Sequence, residues 1–117
     1  MTFTEPQNSL NITETTEETD VLSVTDYHSI KKAAMVLRAA NHRLRQKIVR
    51  AIHEARRITV TQLYTQLRLE QSVASQHLAI LRKAGIVSTE RDGKFIFYRI
   101  NSSRINGINE IIKNLVE

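Results

Sequence analysis

The chain contains no cysteine, so disulfides, thiolate metal sites and thiol redox sensing are all excluded. It has three glycines in 117 residues, and none forms part of a loop that could cradle a phosphate. No apolar run approaches the roughly 18 residues of a membrane span, and the N-terminus has neither the basic start nor the apolar core of a secretory leader. No membrane partner and a cytoplasmic location are therefore expected. No nucleophile stands beside a matched base, and no carboxylate pair is placed for acid–base work, so enzymatic activity and cofactors are not expected. His28, His42 and His53 lack the three- or four-residue spacing of helical metal ligands, so no metal site is assigned.

Basic residues are also absent from the first 26 positions, which hold Glu5, Glu14, Glu17, Glu18, Asp20 and Asp26. The remainder carries all 17 Lys and Arg against six acidic residues, although the whole chain is only +5. So large a local excess points to a polyanionic partner, and to nucleic acid before a membrane surface, because no helix here is a basic, aromatic-bearing interfacial one. Residues 1–24, rich in Thr, Glu and Asn, cannot bury enough to fold alone and read as a disordered acidic tail. Residues 25–117 read as one domain.

Helical spacing begins near residue 26, with Ile30, Ala33, Ala34, Leu37 and Ala40 on one stripe. After Asn41 a second helix, about 43–56, buries Leu44, Ile48, Ala51, Ile52 and Ala55 and carries Arg43, Arg45, Lys47, Arg50, Arg56 and Arg57. The stretch "ITVTQLYTQLRL" starts with β-branched residues and continues as a short helix, with Thr61 as the expected N-cap and Leu63 and Leu67 facing inward. A turn at about 68–70 leads to a helix over about 71–83, stopped by Gly85. Two helices joined by so short a turn make the helix-turn-helix geometry, in which the second helix is offered to the DNA major groove. "IVSTERDGKFIFYRI" then reads as a two-stranded hairpin over about 87–100 around Asp92-Gly93, with Arg91 and Lys94 flanking its tip. The terminal helix, from about Ser102, carries Ile105, Ile108, Ile111, Ile112, Leu115 and Val116, more apolar surface than one helix face of a small domain needs.

The 71–83 helix has an unusual outer face. Its apolar stripe is Ala74, Leu78 and Leu81, and opposite it stand Gln71, Ser72, Ser75, Gln76 and Ala79 rather than Lys, Arg and Glu. Short neutral side chains of this kind can bond base edges and phosphates without attracting every DNA sequence alike. Gln76 is the candidate for adenine; Gln71, Ser72 and Ser75 are candidates for bases or phosphate near the helix start. His77 lies beside them, either bonding phosphate or packing at the edge of the stripe.

Taken together, these elements describe a mostly α winged helix-turn-helix of about five helices with one small β-hairpin wing. "LRAANHRLRQKIVRAI" and "SVASQHLAILRKAGIVSTERDGKFIFYRI" resemble the ArsR/SmtB family of bacterial dimeric repressors, and the "QHL...LRKAGIV" core is the most telling part. The resemblance covers about residues 28–116. It implies a homodimer through the N- and C-terminal helices, at Ile30, Ala34, Leu37, Ile105, Ile108, Ile112 and Leu115. It also implies a near-palindromic operator in double-stranded DNA, held by Arg91, Lys94, Arg43 and Arg45 beside the reading helix. Asn41-His42 replaces the family's usual Asp-Pro.

The family's sensing motifs are missing. At the cysteine positions of the metal-binding stretch, "RITVTQL" has Thr59 and Thr61, and hydroxyls are poor ligands for soft metals. After Asp92 the chain has no His or Asp, only Glu110 and Glu117, so the terminal-helix zinc site is absent too. The resemblance therefore leaves any effector unidentified. Two other readings stay open: an architectural DNA-binding protein of low specificity, and a winged helix used as a protein-interaction module.

Overall fold

A computed structural model describes residues 26–117. The expected acidic tail, residues 1–24, lies outside that range. The described chain runs α1 (Tyr27–Ala40), α2 (Arg43–Ala55), α3 (Val60–Leu67), α4 (Gln71–Lys83), β1 (Val87–Asp92), β2 (Phe95–Ile100) and α5 (Ser102–Val116). Five helices and one two-stranded antiparallel sheet match the architecture expected from the sequence.

Contacts divide the chain within α1, between Ala34 and Met35. On the N-terminal side, Asp26 starts the helix. Its carboxylate accepts from the Ser29 backbone N–H at 3.1 Å and from the Ser29 hydroxyl at 2.8 Å. These two bonds hold the Asp26 carboxyl below its ordinary pKa.

From Met35 onward one core organises the fold. Its largest fully buried side chains are Ile48 and Ile52 of α2, Leu63 of α3, Leu78 and Leu81 of α4, and Ile86 just beyond α4. The i, i+4 pair on α2 and the buried Ala74–Leu78–Leu81 stripe on α4 are the helical periodicities read from the sequence. Ile58 belongs to the same core and also bridges Tyr98: their N–H and C=O groups exchange bonds of 3.1 and 2.8 Å, which ties the hairpin to the segment entering α3.

The local signals differ from expectation in two places, one helix cap and the hairpin loop. Thr59, not Thr61, caps α3. Its hydroxyl accepts from the Gln62 N–H, and the Gln62 side chain accepts from the Thr59 N–H, completing a reciprocal capping box. Thr61 is the second residue of the helix, exposed, with no cap to make. The hairpin loop is Gly93-Lys94, one residue later than Asp92-Gly93, because Asp92 pairs with Phe95. Gly93 has φ +65° and Lys94 does not share that sign, which is the type II′ arrangement with glycine first.

The passage from α4 to the hairpin is held by Gly85 and Asn101. Gly85, at φ +76°, lets the Ile86 N–H turn back onto the Leu81 carbonyl at 2.9 Å. Asn101 donates through Nδ2 to the Gly85 carbonyl at 2.9 Å while its Oδ1 accepts from the Arg104 N–H and so caps α5. One side chain thus fixes the end of α4 relative to the start of α5. Gly85→Ala is expected to lower stability by about 1–2 kcal/mol, the cost of a Cβ in the left-handed region. The added Cβ would meet only the movable Arg104 guanidinium, at 3.1 Å. A urea midpoint unchanged from the parent protein would contradict this.

Candidate nucleic-acid interface

α3 and α4 are joined by Arg68, Leu69 and Glu70, and Arg68 makes the turn by adopting a left-handed conformation at φ 58°. With Ala74, Leu78 and Leu81 buried, the outer face of α4 presents Gln71, Ser72, Ser75, Gln76 and Ala79, all exposed. The candidate reading residues therefore share one solvent-facing surface. Glu70, the N-cap, makes no side-chain bond to the helix, which leaves the first backbone N–H groups of α4 to water or to an external acceptor. Ile80, 41% exposed, also reaches solvent from this helix.

The wing follows α4 in the chain, and its first strand contacts that helix. Arg91 and Lys94 are exposed at its tip; Arg91 Nη1 donates to the Gly93 carbonyl at 3.2 Å, and the Lys94 ammonium lies 5.6 Å from the Phe95 ring centre. Phe95 and Ile96 are exposed beside them. The sequence reading missed Arg57. Its guanidinium bonds Glu90 at 2.8 Å and Asp92 at 3.1 Å and stacks 4.0 Å over the Phe97 ring, while Arg99 bonds the other Glu90 oxygen at 3.1 Å. Arg57 keeps the Glu90 carboxyl below its ordinary pKa, with Arg99 adding to the effect. The two acidic residues of the wing are thus matched internally, leaving Arg91 and Lys94 as outward charge. No sequence signal marks this pairing, because its members stand more than thirty residues apart.

Arg43 opens α2 and is exposed. A cation at a helix N-terminus opposes the helix dipole, so Arg43 does nothing for α2 itself and is free to face a phosphate. Arg45 departs from expectation. It is buried, 8% exposed, and its donors are already engaged: Nε to the Ala39 carbonyl at 2.7 Å, Nη2 to the Arg38 carbonyl at 3.2 Å and Nη1 to His77 Nδ1 at 3.2 Å. An Arg in this position closes the C-terminus of α1 instead of standing free for a phosphate. His77 is half-buried against it, with its ring 4.8 Å from that of His42. The His77 contact with Arg45 requires an unprotonated Nδ1, so His77 supports the core edge of α4. His42 is likewise structural: its Nδ1 caps α2 by accepting from the Leu44 and Arg45 N–H groups.

The residues expected at a subunit interface separate into two sets. Ile30, Ile112 and Leu115 are exposed, and Ala34, Leu37 and Ile105 are partly so. Ile108 is buried at 6% exposure in the core of its own chain and is corrected from interface to core. Ile111 and Val116, part of the same apolar excess on the terminal helix, are exposed as well. Gly107 has open space where a Cβ would stand. Among the described residues no group of three or more His, Asp or Glu could hold a metal ion.

Burial, then the charges of His42 and Arg45, hold the His77 pKa below its ordinary value. The unfolded chain therefore binds the proton more readily. The contribution of His77 to stability is complete above about pH 6.5 and declines as the pH falls toward the lowered folded value. In His77→Gln, which keeps an acceptor for Arg45, the drop in urea midpoint between about pH 7.5 and about pH 5.5 is expected to shrink. A drop as large as in the parent protein would exclude this role.

With this geometry in place, comparison with known proteins is informative. Residues 43–89, from the start of α2 to β1, match the family model described as bacterial regulatory protein, arsR family. The chain is 33% identical to the transcriptional repressor PagR of Bacillus anthracis over 74% of its own length and 87% of PagR. It is 32% identical to the transcriptional activator HlyU of Vibrio cholerae, covering 72% of this chain and 77% of HlyU. The crystal structure of PagR superposes with a TM-score of 0.61, covering 74% of this chain and 99% of that one. A helix-turn-helix, a paired hairpin behind it and relatives alike over most of both chains lead to one assignment: this protein belongs to the arsR family of bacterial regulatory proteins.

Proposed function

We propose that this protein is a sequence-specific DNA-binding transcriptional regulator, a homodimeric repressor that covers promoter DNA at a near-palindromic site. The observation that carries the reading is the outer face of α4, where Gln71, Ser72, Ser75 and Gln76 stand exposed on a helix presented by a three-residue turn. Such a face can discriminate base edges, whereas a lysine-rich one would grip any duplex. Gln76 reads adenine; Gln71, Ser72 and Ser75 bond bases or phosphate beside it. Arg43, Arg91 and Lys94 supply the electrostatic hold, with the wing reaching the adjacent groove.

Two-fold pairing through α1 and α5 would set two α4 helices about one DNA turn apart. Supporting this, α5 leaves Ile111, Ile112, Leu115 and Val116 exposed, between 42% and 76% each, which is costly for a chain that stays alone in water. The protein acts by occupying DNA rather than by turnover, and it works in the cytoplasm. No described helix is long and apolar enough to cross a membrane. The folded domain is taken to be residues 25–117, with the acidic tail preceding it.

The test is selection from a random duplex pool at near-physiological salt. Enrichment of a near-palindrome with half-sites one helical turn apart is the expected result; retention without enrichment would replace this reading with an architectural protein, and no retention with a protein-interaction module. Gln76→Ala is expected to relax preference at one position per half-site and to weaken the best site by about 1–3 kcal/mol. Lys94→Ala is expected to reduce the slope of log affinity against log salt by about one per chain, leaving the selected sequence unchanged. An identical slope would exclude a Lys94–phosphate contact.

A further inference from the structure

Between α2 and α5 a cleft of about 630 Å³ opens to solvent beside the C-terminal end of α1. Its floor is apolar, built from Leu81, Ile86 and Ile108. Leu37, Ala40, Val49, Ile105 and Ile112 extend that surface up the walls. The DNA-reading geometry does not use this space, which is of the size that encloses small organic ligands, although Leu37, Ile105 and Ile112 of its walls are also residues assigned to pairing.

The rim carries the chemical information. Arg50 and His53, one turn apart on α2, stand on one side, and Asn109 of α5 stands opposite. None of the described residues lining the cleft is acidic. The buried Arg45 also lines it, but its guanidinium is committed to carbonyls and to His77, whereas Arg50 is exposed and has no ion pair with any described residue. An apolar floor beneath an exposed guanidinium, an imidazole and an amide is complementary to a molecule with an apolar body and one anionic head.

We propose that this cleft binds an aliphatic carboxylate, with the hydrocarbon chain on Leu81, Ile86 and Ile108 and the carboxylate against Arg50. A charge-assisted bond from a guanidinium is the strongest contact that such a head group can find on this rim. Val49 and Ile105 flank the chain, and Asn109 donates to the head group from across the cleft. Because Leu81 belongs to α4 and Ile112 to the face of α5 assigned to dimerisation, the occupant would touch both the reading helix and the pairing helix. The role as an effector site rests on the regulator reading; the binding itself does not.

The experiment is calorimetric titration of the full-length protein with decanoate below its micellar concentration, with decan-1-ol and the Arg50→Gln variant as comparisons. Expected are saturable binding of one decanoate per chain, and about tenfold weaker binding both of decan-1-ol and of decanoate to Arg50→Gln. Arg50 is exposed on α2, so its replacement leaves the core intact. Absence of saturable decanoate binding would overturn the proposal and would mean that a second copy of the chain, or nothing, fills the cleft. Equal binding of decanoate by Arg50→Gln would overturn the carboxylate assignment. Retention of duplex DNA is measured separately, without decanoate. Its loss would overturn the regulator reading while leaving the titration result standing.

Discussion

The arrangement of α4 depends on one buried guanidinium. Arg45 sits where the C-terminus of α1, the first turn of α2 and the middle of α4 converge, and no described carboxylate pairs with it. Its charge is met by the carbonyls of Arg38 and Ala39, which form the negative end of the α1 dipole, and by the lone pair of His77. Burying a cation without such partners would cost several kcal/mol, whereas hydrogen bonds to a charged group contribute roughly 1.5–3 kcal/mol each. The site is therefore stable only when all three segments are in place together, and α4 is positioned as a consequence.

Around that junction the molecule separates cohesion from recognition. Cohesion comes from Ile48, Ile52, Leu63, Leu78, Leu81 and Ile86, from the reciprocal cap at Thr59 and Gln62, and from Asn101 linking the end of α4 to the start of α5. The proposed recognition falls to exposed side chains with few internal obligations: Gln71, Ser72, Ser75 and Gln76 on α4, and Lys94 on the wing. The wing shows the same division within a single hairpin. Arg57 and Arg99 pair with Glu90, and Arg57 also takes Asp92, so that the acidic charge of the wing is matched internally. The cleft between α2 and α5 fits the same scheme, because its exposed Arg50 has no ion pair among the described residues and stands on the rim rather than in the core.

Much of this was legible in the amino-acid order, because periodicity and caps are local. The α4 stripe at Ala74, Leu78 and Leu81 and the stop at Gly85 follow from neighbours within a few residues. The misreadings arose where a local rule offered two answers. Thr59 and Thr61 are both good caps, and only Thr59 has Gln62 three residues on to reciprocate. Ile108 and Ile112 lie on the same face of α5, but the helix leaves the core between them, so one is buried and the other is not.

From the sequence alone came the fold class, the place of α4 and its neutral outer face, because hydrophobic spacing and side-chain chemistry are properties of short stretches of chain. The tertiary structure decided what each charge is for. Arg43 and Arg45 are two residues apart on one helix and indistinguishable by composition, yet one faces water and the other closes a helix end in the interior. Arg57 serves the wing from more than thirty residues away. The reach and partners of a long cationic side chain are set by what the fold brings beside it, and that is not written in its neighbours along the chain.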